Sequence, residues 1–372
     1  MTFRVPVAEP TLGDSEKRAV VNVIASGHIS QGTQVQEFEQ RMADYIGVKY
    51  AVACHSGTCA NEMMVAALSK PTLQSMMTHW DRYVAVPACT SVAVVNPLLY
   101  AHFRPRFYDL DGKLCINIEN LGKRHDSAIL YVYAYGSYPE RFEKLLEHAE
   151  HIPLFEDACV AYGGTYQGRK LGSFGLASSI SFYVNKLITA SEGGMVLTND
   201  ESFATYCREY VNHGRKHSEW HDEWYYHHLG RNAKMTDLQA AIGLAQLERI
   251  QDFIDARRKI CWELHGALKG DQRYDCILPN SEEVPWMFWI VNWDRSVDMR
   301  EKAQILQRKY GIETRPTLPY LPNLGFYEMP IEPLPVALAS QNGFLVSCSP
   351  AVLLHGDLNY LKESMSEVLD VK

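Results

Sequence analysis

The sequence predicts an α/β fold with a mostly parallel central sheet and a smaller C-terminal α+β domain. Short β-prone segments alternate with amphipathic helical segments over about 200 residues, an order that covers both faces of a parallel sheet with helices. The chain has 372 residues, 47% of them hydrophobic, which is enough to fill two cores. We expect a large domain over 1–245 and a small domain over 246–372, with residues 1–15 able to pack on the small domain.

Composition narrows the class of protein. The net charge of −8 argues against a nucleic acid partner, because phosphate binding needs a basic face. The N-terminus lacks an apolar signal core, and the longest apolar stretch, 91–100, is interrupted by Asn96 and Pro97, so we expect a cytoplasmic protein without a membrane span. Nine cysteines without a CxxC pair indicate reduced thiols rather than disulfides or a zinc site.

Local patterns predict the individual elements. Apolar residues at helical spacing indicate helices, and runs of β-branched or aromatic residues indicate strands. In chain order we expect helices over Asp14–Ser26 and Val35–Ile46, a strand in KYAVAC, a helix in CANEMMVAALS, strands in YVAVP, FRPRFYDLD and SAILYVYAYGS, a helix over Arg141–His148, a strand in IPLFED, a long helix from Thr236 to Ile254, a strand in PWMFWIVNW, a helix over Arg300–Lys309, a short strand in GIETRP and a helix over Leu358–Val371. Loops are expected from Lys70 to Arg82 and in the Pro-rich run from Pro316 to Pro335.

The stretch from Ser178 to Thr198 reads as strand, turn and strand, with Gly193 and Gly194 at the break. Lys186 stands where the first strand is expected to end. A lysine in such a place is most often a solvated surface residue. Beside Asn185 and Ser181, however, it is placed to lose solvent, lower its pKa and attack a carbonyl as the neutral amine.

Two further segments place polar groups next to strands. The run HSGT between a strand and a helix puts the backbone amides of Gly57 and Thr58 at a helix N-terminus, where a phosphate binds well, although Ser56 or Thr58 could simply cap the helix. The strand of IPLFED ends in Glu156 and Asp157, which places a carboxylate in the same layer as Lys186. The alternative for Asp157 is a loop aspartate that caps the next turn.

A histidine-rich run has the spacing of a metal site on a helix. His213, His217 and His221 recur every four residues. Gly214 and the mixed polar composition favour a loop, and no cysteine pair supports a metal. We therefore predict no metal site here.

The segment SFYVNKLITASEGGMV resembles the cofactor-lysine segment of the DegT/DnrJ/EryC1/StrS sugar aminotransferases, and the resemblance extends, with gaps, from Gly27 to Arg315. These enzymes use pyridoxal 5′-phosphate (PLP) to aminate nucleotide-linked keto sugars. The resemblance implies PLP fold type I, the aspartate aminotransferase-like fold, with Lys186 as the Schiff-base lysine. It also implies a homodimer with shared active sites and a place in polysaccharide biosynthesis such as that of O antigen.

The same resemblance assigns further site residues. Gly57 and Thr58 would grip the PLP phosphate, and Asp157 would face the ring nitrogen, since a pyridinium is the better electron sink. Asn232, in a segment similar to the family's GxNxRMT, would reach the phosphate in the neighbouring subunit. The remaining assignments are to the cofactor for Ser91, Val160, Ser181 and Asn185, and to the substrate for Tyr133, Lys234 and Arg315.

Several positions depart from the family pattern on the side of the ring and the substrate. Ser91 stands where an aromatic residue or histidine usually stacks on the ring, so the usual stacking partner is missing. Lys234 replaces an arginine. The other departures are Tyr133 for histidine, Ser137 for glutamine, Val160 for glutamate or glutamine, and Pro319 for histidine.

The form NKxIT followed by EGGM is most similar to members that aminate C4 of GDP-4-keto-6-deoxymannose. We therefore expect transfer of the amino group of L-glutamate to the C4 ketone of a nucleotide-linked 4-keto-6-deoxy sugar. The alternatives are an aminotransferase for another keto sugar or a cyclitol, a PLP-dependent sugar dehydratase and a non-catalytic homologue. Dehydratases of this fold resemble the chain with histidine where Lys186 stands, so the lysine argues against that reading.

Overall fold

Two main sheets organise the chain. The computed structural model describes residues 3–69, 82–121, 125–216, 225–327 and 334–371. The strands in these ranges are β1 (Tyr50–Cys54), β2 (Tyr83–Pro87), β3 (Arg104–Tyr108), β4 (Ala128–Val132), β5 (Leu154–Asp157), β6 (Thr165–Tyr166), β7 (Arg169–Lys170), β8 (Ala177–Ser181), β9 (Gly194–Thr198), β10 (Met287–Val291), β11 (Arg315–Pro316) and β12 (Gly343–Ser347). The larger sheet has the order β1-β9-β8-β5-β4-β2-β3 and the smaller one β10-β12-β11, while β6 and β7 form a separate hairpin.

The larger sheet is mostly parallel, as predicted. Neighbouring strands from β3 through β2, β4 and β5 to β8 are parallel, and β9 is antiparallel to both β8 and β1. Six of the seven described strands of this sheet therefore point the same way. Their carboxyl ends meet at one edge, where open α/β sheets bind ligands.

Helices cover both faces of the larger sheet. The helices of the described ranges are α1 (Asp14–Ser26), α2 (Thr33–Ile46), α3 (Gly57–Ala67), α4 (Val92–Tyr100), α5 (Phe142–Ala149), α6 (Glu201–Tyr210), α7 (Asp237–Leu247), α8 (Ile250–Leu268), α9 (Met299–Tyr310), α10 (Pro335–Ala339), α11 (Ala351–Leu354) and α12 (Leu358–Leu369). Along β4, Leu130 joins one buried cluster with α3 and α4, whereas Ile129 and Tyr131 join another with α5. Successive residues of a strand face opposite sides, so the unbroken apolar run of β4 is buried on both faces of the sheet.

The smaller sheet packs against α8, α9 and α12, whose apolar residues share one buried cluster with Phe288, Ile290 and Val346. The N-terminal segment lies on this side of the molecule. Val5 forms a parallel bridge with Ile312, and Arg4 pairs with Asp357 at 2.8 Å. The boundary between 245 and 246 stays a prediction, and that position lies inside α7.

Some elements differ from the prediction. The single helix expected from Thr236 to Ile254 is divided into α7 and α8, because Arg249 leaves the helical region (φ −111°, ψ 14°). Its guanidinium instead binds the Glu16 carboxylate of α1. The strand before Lys186 ends at Ser181, five residues before the lysine, and β12 lacks a counterpart in the prediction.

The Pro-rich run is not a continuous loop in its described part. It contains two 3-10 turns, Leu321–Asn323 and Gly325–Tyr327, and Pro335 begins α10, since proline is well suited to the first turn of a helix. The predicted loop over 70–81 lies outside the described residues, as do His217 and His221. Among the described helices, none combines the length and the apolar character needed to cross a membrane.

Candidate active site

A cavity of about 270 Å³ opens at the carboxyl edge of the larger sheet. The turns that follow β1, β2, β4, β5 and β8 contribute most of its wall, and Trp286 and Leu318 close it from the side of the smaller sheet. Lys186, Asp157, Gly57 and Thr58, which lie far apart in the sequence, all line it. The structure therefore brings together the three segments that the sequence singled out.

Lys186 lies in the loop between β8 and β9. Its backbone N–H donates to the Tyr183 carbonyl (2.9 Å), and its Nζ is 5.0 Å from the centroid of the Trp286 ring. Burial lowers the pKa of Lys186; the Arg257 cation lowers it further, while Cys159 and Asp157 oppose the shift. A lowered pKa increases the fraction of neutral amine, the form that acts as nucleophile or base.

Arg257 of α8 holds the lysine loop from behind. Its guanidinium donates to the backbone carbonyls of Lys186 (2.8 Å), Asn185 (3.4 Å) and Trp286 (2.5 Å). The Trp286 indole N–H also donates to the Asn185 carbonyl (3.1 Å). Arg257 is only 4% exposed, and burial lowers its pKa. The lysine loop is thus tied to α8 and to the residue that precedes β10.

The N-terminus of α3 is tightly packed against β8 and β9. The Ser56 side chain caps the helix by accepting from the Cys59 N–H (3.2 Å). A Cβ at Gly57 would lie 2.6 Å from Cβ of Ser181, and a Cβ at Gly194 would lie 2.2 Å from the Ser56 carbonyl oxygen. Glycine at both positions lets β8 and β9 approach the turn. The Gly57 and Thr58 amides and Ser181 therefore border one corner of the cavity.

Asp157 ends β5 and is 5% exposed. Its Oδ2 accepts from Nδ2 of Asn61 (2.8 Å), and its Oδ1 accepts from the Cys159 N–H (3.1 Å). Both oxygens are therefore held, and the residue also faces the cavity. An anchored carboxylate in this position can receive an N–H from a ligand.

Glu156, the neighbouring carboxylate, has a structural role. It accepts from the backbone N–H groups of Gly172 (3.0 Å), Phe174 (2.8 Å) and Gly175 (2.6 Å) and from the Tyr133 hydroxyl. Burial is the main cause of the raised pKa of Glu156 and of Tyr133. Tyr133 borders the cavity, but its hydroxyl is committed to Glu156. The predicted contact of Tyr133 with substrate would therefore have to use atoms other than the hydroxyl.

The other predicted residues divide into two groups. Ser91 and Val160 line the cavity, and the Ser91 hydroxyl accepts from the Ala93 N–H (3.2 Å) as the cap of α4. Asn232, Lys234 and Arg315 do not line the cavity of their own chain. Lys234 Nζ donates to Oδ1 of Asn232 (2.7 Å), and Arg315 pairs with Glu313 (2.7 Å). Asn185 lines a second pocket, together with Phe253 and Arg257, and does not line the cavity.

The cavity wall fits the predicted PLP. Oγ1 of Thr90 is buried at the wall and has no hydrogen-bond partner among the described residues, so it can bind a polar ligand. The amides of Gly57 and Thr58 suit a phosphate, and Asp157 suits a protonated ring nitrogen. The amine of Lys186 suits a carbonyl carbon.

Comparison with known proteins identifies the family. The DegT/DnrJ/EryC1/StrS aminotransferase family matches residues 10–338. This chain belongs to that family. It is 33% identical over 343 residues to the GDP-perosamine synthase of Escherichia coli O157:H7, and the alignment covers 90% of each chain. The predicted family and enzyme class are confirmed.

Solved structures have the same fold. Helicobacter pylori PseC, an aminotransferase involved in the biosynthesis of pseudoaminic acid, superposes with a TM-score of 0.90 at 23% identity over 100% of both chains. A GDP-4-keto-6-deoxymannose-3-dehydratase with a trapped PLP-glutamate geminal diamine gives a TM-score of 0.89 at 26% identity, over 97% of this chain and 100% of the other. The predicted fold class is confirmed.

Sequence reasoning missed several residues of the site. Trp286 and Arg257 come from distant segments and carry no local pattern. Thr90 was passed over in favour of Ser91. Asn61 did leave a signal, because it is an amide on the otherwise apolar buried face of α3, one turn after Gly57.

Proposed function

We propose that this family member transfers the amino group of L-glutamate to the C4 ketone of a nucleotide-linked 4-keto-6-deoxy sugar, as a GDP-perosamine synthase does. The observation that supports it best is the combination of Lys186 and the anchored Asp157 in one cavity. A lysine can act as both covalent anchor and base, whereas dehydratases of this fold resemble the chain with histidine at that place. The identity to GDP-perosamine synthase supports the choice of sugar.

The cofactor is PLP, as predicted, in line with the family and the PLP-containing structure of the same fold. When bound, PLP supplies an electron sink for the charge that develops at Cα of the amino acid. The Gly57 and Thr58 amides and the Ser181 hydroxyl would hold its phosphate, and Asp157 would hold a proton on its ring nitrogen. Thr90 would supply a further hydroxyl contact.

Lys186 would move the proton. Because burial lowers its pKa, Nζ is available as the neutral amine. It would take a proton from Cα of glutamate and deliver it to C4′ of the cofactor, and the same transfer in the opposite direction would aminate the sugar ketone. The hydrogen bonds from Arg257 to the carbonyls of Asn185 and Lys186 hold the loop during these transfers.

We also propose a homodimer that works in the cytoplasm. Neither Asn232 nor Lys234 lines the cavity of its own chain, and Leu229, three residues before Asn232, is 93% exposed. Tyr225 and Tyr226 are 59% and 49% exposed. An apolar surface beside predicted site residues supports a contact in which Asn232 of the partner subunit completes the phosphate site.

One observation favours a different ketone as the second candidate. Ser91, Tyr133 and Val160, which depart from the family pattern, all line the cavity, while the anchor residues Lys186 and Asp157 follow the pattern. A wall changed in this way can select another keto sugar or a cyclitol. One of the structures with the same fold is a 3-dehydratase. The third outcome to test is therefore removal of a hydroxyl group from the sugar without net amination.

The test starts from purified protein with PLP. L-Glutamate should convert the bound cofactor to pyridoxamine phosphate, with a loss of its long-wavelength absorbance, and Lys186→Ala should abolish this conversion. The pyridoxamine form should then aminate GDP-4-keto-6-deoxymannose, and NMR of the product should show nitrogen at C4. Cofactor that glutamate leaves unchanged would refute the transaminase. Turnover of another ketone alone would favour the second candidate, and a 3-deoxy product with ammonia release would identify a dehydratase.

A further inference from the structure

Three buried polar side chains form a chain that leads from β8 to the cavity. The Ser179 hydroxyl donates to Oδ1 of Asn61 (2.7 Å), and Nδ2 of Asn61 donates to Oδ2 of Asp157 (2.8 Å). Nδ2 of Asn61 also donates to the Ala93 carbonyl (3.4 Å). Asn61 is 1% exposed and Ser179 is 0% exposed. Each polar atom of the Asn61 side chain therefore has a partner.

Chemistry sets the direction of these hydrogen bonds. An ionised carboxylate only accepts, so Asn61 must turn its amide N–H toward Asp157 and its carbonyl toward Ser179. A donor to a buried carboxylate stabilises the charged form and restricts its rotation. With the Cys159 N–H on the other oxygen, the plane of the Asp157 carboxylate is held at two points.

Core packing does not account for Asn61. The neighbouring buried residues of α3 include Cys59, Met63 and Met64, and a leucine would suit such an apolar face. An amide is costly to bury unless its hydrogen bonds are made. Here the side-chain N–H of Asn61 is directed at the Asp157 carboxylate in the cavity wall. That hydrogen bond accounts for an amide at this otherwise apolar position.

We propose that Asn61 and Ser179 are positioning residues that hold the Asp157 carboxylate oriented toward the ring nitrogen of PLP. The inference rests on the proposed role of Asp157 and extends it to two residues that act through the Asp157 carboxylate. Ser179 fixes the Asn61 amide, and Asn61 fixes Asp157. The strength of the contact with the ring nitrogen then depends on Asn61 of α3, which borders the cavity but whose polar side-chain atoms all have protein partners.

The test separates the ring nitrogen from the rest of the cofactor. Pyridoxamine phosphate and its 1-deaza analogue, in which CH replaces the ring nitrogen, are titrated into cofactor-free protein by calorimetry. Neither compound bonds covalently to Lys186, so the affinities are reversible binding constants. The variants are Asn61→Leu, Ser179→Ala and Asp157→Asn. Asn96→Leu is the control, because Asn96 of α4 accepts from the Tyr327 hydroxyl (2.9 Å) and does not line the cavity.

Wild type should bind pyridoxamine phosphate more tightly than the deaza analogue. Asn61→Leu should lose about tenfold in affinity for pyridoxamine phosphate, as expected for one hydrogen bond to a charged group, and change less than about twofold for the analogue. We call the ratio of the two affinities the selectivity for the ring nitrogen. Ser179→Ala should also reduce this selectivity, by a smaller factor than Asn61→Leu, and Asn96→Leu should leave it unchanged.

Other results contradict the proposal in distinguishable ways. Equal losses for both compounds in Asn61→Leu would mean a structural role only. Selectivity that survives in both Asn61→Leu and Ser179→Ala but disappears in Asp157→Asn would overturn the inference and leave the role of Asp157 intact. Selectivity that survives in Asp157→Asn would overturn the role of Asp157 itself. If Asn61→Leu does not fold, Ser179→Ala decides, because it removes only one hydroxyl oxygen.

Discussion

Gly194→Ala tests whether Gly194 is needed to build the corner of the cavity that is bordered by Gly57, Thr58 and Ser181. A Cβ at Gly194 would lie 2.2 Å from the carbonyl oxygen of Ser56, 2.3 Å from its carbonyl carbon and 2.6 Å from the Gly57 nitrogen. All three are backbone atoms, so no side-chain rotation relieves the clash. The first residue of β9 must move away from the turn that begins α3.

The expected effect follows from the two strand ladders at this residue. Gly194 pairs with Cys54 of β1 and with Ser181 of β8, so the displacement disturbs both neighbours and the cavity corner between them. Overpacking in a close-packed interior costs about 1–3 kcal/mol, and we expect a loss of about 2–3 kcal/mol in the free energy of unfolding. We also expect PLP affinity to fall about tenfold, equivalent to ~1.4 kcal/mol.

Urea unfolding of the cofactor-free protein, followed by tryptophan fluorescence, measures the change in the free energy of unfolding. A PLP titration measures the change in affinity. Gly266→Ala is the matched control, since Gly266 lies within α8 and a Cβ there would meet nothing within 4 Å. That change should stabilise the protein by about 1 kcal/mol through helix propensity and leave PLP affinity unchanged. If Gly194→Ala behaves like Gly266→Ala in both assays, the steric argument is wrong.

Three further predictions concern buried charges. Arg257→Met leaves the carbonyls of Lys186 and Trp286 without their Arg257 donor, while the Asn185 carbonyl keeps the Trp286 indole N–H. The free energy of unfolding should therefore fall by about 3 kcal/mol, and the pKa of Lys186 should rise because a neighbouring cation is lost. Urea unfolding and the pH dependence of PLP binding check these effects, and equal effects from Arg258→Met would contradict the reasoning. Burial raises the pKa of Glu39 to about 7, so its contribution to stability is largest at low pH and is lost as pH rises toward 7. Glu39→Gln should therefore raise Tm by about 2 °C at pH 8 but not at pH 4, and a uniform shift would refute the assignment. Burial opposes ionisation of Glu16, but hydrogen bonds from Gln246, Gly13 and Arg249 outweigh this effect and lower the pKa of Glu16 to about 2. The ionised carboxylate therefore stabilises the fold above about pH 4.5, and this stabilisation is lost as pH falls toward 2. Glu16→Gln should lower Tm at pH 7 by about 4 °C with a gap that closes near pH 2, and a gap independent of pH would mean that charge is not involved.

Much of the fold could be predicted because its signals are local. The alternation of strands and helices, the cap at Ser56 and the capping box at Thr236 depend on residues within a few positions of one another. The division between α7 and α8 could not be predicted from the apolar pattern, because that pattern continues through Arg249. At the break the Arg249 guanidinium binds the carboxylate of Glu16, which is more than 200 positions away in the chain.

Local patterns likewise predicted only part of the candidate site. Lys186, Asp157, Gly57 and Thr58 were found by residue type at strand ends, and the sheet brings them together because parallel strands end at one edge. Pattern alone did not show that the Tyr133 hydroxyl binds Glu156 or that Asn232, Lys234 and Arg315 lie away from the cavity of their own chain. Side-chain direction depends on the packing of neighbouring elements, which single-chain patterns do not contain.

Local patterns and the family resemblance were enough to identify the fold class, the family and the three segments that carry Lys186, Asp157 and the turn at Gly57 and Thr58. The contacts that support these residues became visible only in the folded chain: Asn61 on Asp157, Arg257 on the lysine loop and Gly194 against Ser56. The cause is the separation of the partners along the chain. These contacts join residues about 70 to 140 positions apart, so they exist only once strand order and helix docking have set the distances between atoms.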